Sequence, residues 1–107
     1  EGVEPQIENL QNLRVDHFNW IVQELEEGRN INISHLEELP AEAINEKEIL
    51  KMQHIESLAI VSMIYGGELR GYLGFDSTNK RVHWKEEDFS LLQTMSNIII
   101  SAIEHRP

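Results

Sequence analysis

The side chains able to do chemistry are plentiful in this chain but scattered. His17, His35, His54, His83 and His105 never fall at the HxxxH or HExxH spacing that sets two imidazoles on one helix face. There is no cysteine to supplement them. The residues therefore offer no metal ligand set, and no cofactor is expected from them. The lack of cysteine also removes a disulfide scaffold, a thiolate nucleophile and any thioether-linked chromophore. Asp and Glu total 19 against 9 Lys plus Arg. Carboxylates at that density meet by chance, and no spacing marks a pair for general acid–base work. No GxSxG elbow, Walker loop or GxGxxG turn is present. A non-enzyme is the expectation.

Two short motifs have simpler explanations. Gly66-Gly67-Glu68-Leu69 is similar to the hairpin tip of diguanylate cyclases, where Gly-Gly precedes two acids and Phe. Here Leu69 replaces the second acid and Arg70 the aromatic. A tight turn by itself accounts for both glycines. Asn32-Ile33-Ser34 fits the glycosylation acceptor pattern, but it lies in an alternating run that reads as strand.

The formal charge of −10 repels phosphate backbones, so neither nucleic acid nor anionic membrane is an expected partner. The longest apolar run, Leu58 to Tyr65, is broken by Ser62 and falls far short of the ~18 residues that span a bilayer. The acidic start Glu1-Gly2-Val3-Glu4 does not read as a signal peptide. A single cytoplasmic domain over residues 1–107 is expected, with 40% apolar and 26% charged residues giving a globular balance.

The elements that must position these residues can be read in order. In residues 1–15, Ile7, Leu10 and Leu13 recur at threes and suit a helical turn or a packed irregular segment. Asp16 is a good N-cap, Phe18, Ile21, Val22 and Leu25 form one apolar stripe, and Gly28 suits a left-handed cap. Asn30 to Ser34 alternates as a short strand. Pro40 precedes a helix over 41–53 whose thin stripe (Ile44, Ile49, Leu50, Met52) places it on the surface or over a lid. The last helix opens near Lys85, with Glu86, Glu87 and Asp88 at its positive pole. Phe89, Leu92, Met95, Ile99, Ala102 and Ile103 form its stripe, widened by Ile98 and Ile100.

The clearest signal is a hairpin. Ser57 to Tyr65 runs apolar and β-branched, Gly66-Gly67 supplies the turn, and Glu68 to Asp76 returns. Counting outward pairs Ile64 with Leu69, Ser62 with Gly71, Ile60 with Leu73 and Leu58 with Phe75 on an apolar face. The opposite face pairs Tyr65 with Glu68, Met63 with Arg70, Val61 with Tyr72 and Ala59 with Gly74. Its mixture of small, polar and aromatic residues is that of a pocket wall. Val61, Met63, Arg70 and Tyr72, with Trp84 nearby in sequence, are the candidate ligand-binding residues.

Several runs together resemble a GAF domain. They are Glu48 to Lys51, Ser57 to Val61, Gly66-Gly67-Glu68-Leu69-Arg70-Gly71-Tyr72-Leu73-Gly74-Phe75-Asp76, Arg81-Val82-His83-Trp84, and Asp88-Phe89-Ser90-Leu91-Leu92. The likeness is greatest to the GAF modules of prokaryotic sensor histidine kinases and related PAS/GAF signalling proteins, and covers about residues 16–106. It implies an α+β fold with a GAF/PAS-like antiparallel sheet flanked by helices, lacking the first strands. Ser62 stands where many such domains have proline. Asn79-Lys80 and Phe89 match the cyclic-nucleotide-binding subgroup, but no Asp-Glu follows Phe89, which speaks against that ligand. On the same likeness, Glu1 to Glu4 reads as the tail of a second strand. The Glu68–Asp76 strand would then be a bare apolar edge, a template for pairing with another chain. The function implied is a non-catalytic sensory module of a two-component or related protein. It would bind an unknown small molecule or dimerise, and relay through its C-terminal helix to a downstream output domain. The alternatives are a purely structural dimerisation module and a small enzyme on the same scaffold.

Overall fold

The computed structural model describes residues 3–9, 19–78 and 80–104. The elements in chain order are β1 (Val3–Asn9), α1 (Asn19–Glu26), β2 (Ile31–Ile33), α2 (Ile44–Met52), β3 (Ile55–Tyr65), β4 (Glu68–Thr78) and α3 (Glu86–Glu104). Two single 3-10 turns, Leu36–Glu38 and Ala41–Ala43, lead into α2. The four strands form one sheet in the order β1-β4-β3-β2, each neighbour antiparallel. Both sheet faces are covered. One carries α1, α2 and the 3-10 turns over a core of Ile21, Leu25, Ile31, Ile33, Leu58 and Ile60. The other carries α3 over Val61, Met63, Leu73, Phe75 and Leu92. The expected α+β class with a helix-flanked antiparallel sheet is what the chain adopts.

The first strand corrects two expectations. Residues Val3 to Asn9 are a strand, neither the helical turn nor the packed irregular segment that the spacing suits, and in keeping with the strand tail that the family likeness implies. Their sequence alternates Val3, Pro5 and Ile7 with Glu4, Gln6 and Glu8, the period of a strand. Leu10 and Leu13, which set the helical spacing, lie outside the described residues. β1 pairs with β4 from Val3 opposite Ser77 to Asn9 opposite Gly71. The bare β4 edge expected from the family likeness is therefore occupied, and β1 and β2 are the outer strands.

Helix α1 keeps the predicted stripe, with Ile21, Val22 and Leu25 buried. Asp16 and Phe18 lie outside the described residues. Gly28 ends the helix at φ +84°, with the Arg29 amide donating back to the Glu24 carbonyl at 2.9 Å. The Arg29 guanidinium also pairs with the Glu24 and Glu27 carboxylates. Its hydrogen bond holds the Glu24 carboxyl below the usual carboxylate range. Lys47 does the same to Glu37 across 2.8 Å.

Helix α2 lies on the surface, as its thin stripe implies. Ile44 and Met52 stay exposed while Leu50 is buried. The sequence gives no warning of its second buried residue, Glu46, which is 1% exposed. A Glu46 carboxylate oxygen accepts the Ile21 amide at 3.0 Å. That amide is in the first turn of α1, where backbone donors have no partner within the helix. One helix thus caps another. Glu46→Ala removes the acceptor and strands the amide, so it is expected to cost about 2 kcal/mol in urea denaturation. Glu46→Gln, which keeps an acceptor oxygen, costs less. Equal losses for the two would show that the capping bond contributes nothing.

The hairpin turn forms as its glycines require, with φ of +63° at Gly66 and +78° at Gly67. Tyr65 faces Glu68 and Ile64 faces Leu69, as counted. A β-bulge follows, with Arg70 as the extra residue, and Met63 pairs with Gly71. Beyond it every expected pair is one residue out. Ser62 meets Tyr72, Val61 meets Leu73, Ile60 meets Gly74, Ala59 meets Phe75 and Leu58 meets Asp76. A one-residue slip exchanges the faces of everything on the shifted strand.

Helix α3 begins where predicted. The Asp88 carboxylate accepts the Lys85 amide at 2.7 Å, closing its first turn. Leu92, Ser96 and Ile100 are buried, with Phe89, Met95 and Ile99 half-buried beside them. Ala102 and Ile103, placed in the core stripe from sequence, are exposed, and so are Leu91 and Ile98.

Candidate functional site

The densest polar geometry gathers where the segment leading into α3 crosses the end of β2. Ser57 is fully buried near the start of β3. Its hydroxyl accepts the Val82 amide at 2.7 Å and donates to the Ser34 carbonyl, with the Lys80 carbonyl 3.3 Å away. Two residues on, the Trp84 indole N–H donates to the Ile33 carbonyl at 3.1 Å. The Trp84 ring stacks on Phe75, with centroids 6.1 Å apart and planes 24° from parallel. The Ser34 hydroxyl lies 3.3 Å from His83 Nδ1 on the surface. One buried hydroxyl and one indole therefore fasten the 80–84 segment across β2 and β3. This is what the Arg81-Val82-His83-Trp84 run does here, and it is structural.

The five candidate ligand residues are not brought together. Val61 and Met63 are buried beneath α3, in one core with Trp84. Tyr72 points through the sheet into the other core, beneath α1 and α2. Arg70, the bulge residue, is exposed. It lies over the Tyr65 ring at 5.8 Å, and its guanidinium sits 3.9 Å from both Glu68 and Glu104. The pocket wall drawn from the regular register is thus corrected. The bulge sends Tyr72 to the opposite face, and Val61, Met63 and Trp84 pack as core.

A shallow depression of about 570 Å³ lies on α1, lined by Asn19, Val22, Gln23, Glu26 and Glu27. Among the described residues no three His, Cys, Asp or Glu side chains gather as a metal site. No helix among them is long and apolar enough to cross a membrane. The residues that sequence reasoning missed are Ser57, Ser34 and Glu46. A serine in an otherwise apolar strand is the one available signal, and it marks Ser62 as much as Ser57 and names no partner.

The remaining feature is the outer side of α3. Leu91 is 52% exposed and Ile98 63% exposed. With exposed Ala102 they recur at i, i+7 and i+11 along one side of the helix, and Met95 between them packs against the core beneath α3. From Ser90 to Ile103 there is no charged residue.

The comparisons with known proteins agree with this geometry. The GAF domain family model matches residues 2–103. No curated protein sequence matches the chain. Among solved structures, GAF3 from Slr1393 of Synechocystis sp. PCC6803, in its photoproduct state, is similar at TM-score 0.70 and 16% identity, over 87% of this chain and 61% of that one. A domain described as that of a two-component sensor histidine kinase from Sinorhizobium meliloti 1021 is similar at TM-score 0.62 and 13% identity, over 72% and 52%. The GAF domain/HD domain protein from Geobacter sulfurreducens follows at TM-score 0.57 and 10% identity, over 87% and 62%. The chain spans less than two thirds of each of these structures. At such identities the structural likeness concerns the fold, and the family model carries the assignment: this chain belongs to the GAF domain family.

Proposed function

We propose that the chain is a non-catalytic regulatory module of a cytoplasmic signal-transduction protein, acting as a homodimer through α3. The observation that carries this reading is the double character of that helix. Its inner face is locked to the sheet through Leu92, Ser96 and Ile100, with Met95 packed beside them, while Leu91, Ile98 and Ala102 are apolar and exposed to solvent. A change in the sheet that tilts or rotates α3 changes what those exposed side chains can reach. Association is then the output, and two sheet states with different affinity for a partner suffice for regulation. The sensor histidine kinase among the structural neighbours supports a signalling role and a downstream output domain.

The packing favours this over a small-molecule sensor built on Val61, Met63, Arg70, Tyr72 and Trp84. Four of those side chains fill two separate cores, and the fifth lies on the surface. Sedimentation equilibrium is expected to show a dimer. Ile98→Glu places a charge among the exposed apolar side chains of α3 and is expected to raise the dimer Kd about a hundredfold with the circular dichroism unchanged. A wild-type chain that stays monomeric at high concentration would sink the proposal.

A further inference from the structure

Two parts of the molecule run past the layered core and meet. The first is the tip of the β3–β4 hairpin. Among the described residues β1 pairs with β4 as far as Gly71, and β2 with β3 as far as Ile60. The stretch from Ile64 to Arg70 is therefore a ribbon of two strands only. Ile64 and Tyr65 are exposed in it, while Leu69 packs against the core beneath α1 and α2. The second part is the end of α3. Ile100 is the last buried residue of that helix, and Ser101, Ala102 and Ile103 are exposed. No basic residue lies in the last described turn, so the negative pole of the helix has no cation of its own there.

Arg70 joins the two. The bulge sets Arg70 and Gly71 together opposite Met63, which lies beneath α3, and leaves Arg70 without a partner in the ladder. One guanidinium nitrogen lies 3.9 Å from a Glu104 carboxylate oxygen and the other 3.9 Å from Glu68, with the Tyr65 ring 5.8 Å away. Glu104 is much the less exposed of the two carboxylates, so water screens it less. We infer that Arg70 is a latch. By holding Glu104 it fastens the hairpin tip to the last turn of α3, so that the two loosen or tighten together, and a displacement of the tip frees the end of the helix. The latch lies within one copy of the chain, so it does not depend on the homodimer reading.

Amide hydrogen exchange, read residue by residue by NMR on the full chain, tests it. Arg70→Gln is expected to speed exchange in residues 101–104 about threefold, and Glu104→Gln to do the same in residues 64–69. Each substitution thus acts on the element it does not belong to, as reciprocal coupling requires. The double variant is expected to exchange no faster than either single one, because both remove the same contact. Arg70→Glu combined with Glu104→Arg, which exchanges the charges, is expected to restore the wild-type rates. For the unaltered chain, about 1 M sodium chloride, which screens charges beyond ~3 Å, is expected to loosen both parts without any substitution. Faster exchange confined to the substituted element overturns the latch, and so do additive single effects. A charge-exchanged variant that stays loose overturns the ion pair as its cause. Either failure leaves the homodimer reading standing, since that is decided by sedimentation.

Discussion

Trp84→Ala is expected to lower the unfolding free energy by about 3–5 kcal/mol, enough to leave little folded protein at physiological temperature. Three losses combine. The side chain is 8% exposed, so its removal opens a cavity between α3 and the sheet. The stack on Phe75 disappears. The Ile33 carbonyl loses the indole donor, 3.1 Å away. Trp84→Phe separates these terms. It keeps most of the apolar area but leaves the carbonyl without its donor, for an expected cost of about 1–2 kcal/mol. Urea denaturation of both variants is the measurement. If the alanine variant lost less than the phenylalanine one, the indole would not be part of the core.

Gly74→Val is expected to cost about 3 kcal/mol or more, the second largest effect. Gly74 lies mid-strand in β4, opposite Ile60. A Cβ there would sit 2.5 Å from the Ala59 carbonyl oxygen and 3.0 Å from Ile60 Cγ1. The first of these is backbone, so no rotamer change relieves it. β3 and β4 would have to separate locally at the centre of the sheet. Tm is expected to fall by about 12 °C or more. Gly74→Ala, with the same Cβ and nothing beyond it, should fall less but in the same direction. A Tm within a few degrees of wild type for both would mean that the two strands have slack.

The residues made much of this fold readable. Gly66-Gly67 marked the turn because only that pair supplies two successive positive φ angles cheaply. The stripe Ile21, Val22, Leu25 marked α1, and the acidic triplet marked the start of α3. The candidate site was another matter. It was drawn by counting a regular register, and the bulge at Arg70 broke the count after two pairs. Gly71, an isolated glycine inside a strand pattern, is the one local sign of a bulge there, and it does not say which residue is the extra one. Tyr72 was therefore assigned to the wrong face. Ala102 and Ile103 were assigned to the core because helical spacing tells which residues share a side but not where the sheet beneath runs out. β1 is left open between a helical turn and a packed irregular segment in the residue spacing, because apolar residues at threes mask a strand alternation only seven residues long.

The Ser57 hydroxyl has a consequence for the order in which the chain assembles. Its partners come from Ser34 on one side and from Lys80 and Val82 on the other, each more than twenty positions away. The β3–β4 ribbon needs none of them and closes over a two-residue loop, so it can zip early at small entropic cost. Until β2 and the segment before α3 both arrive, that hydroxyl has only water for company. Its final burial is therefore expected to come late, since it joins Ser34, Ser57 and the Lys80–Val82 segment at once. It acts as a keystone, so loss of any one stretch would loosen the other two.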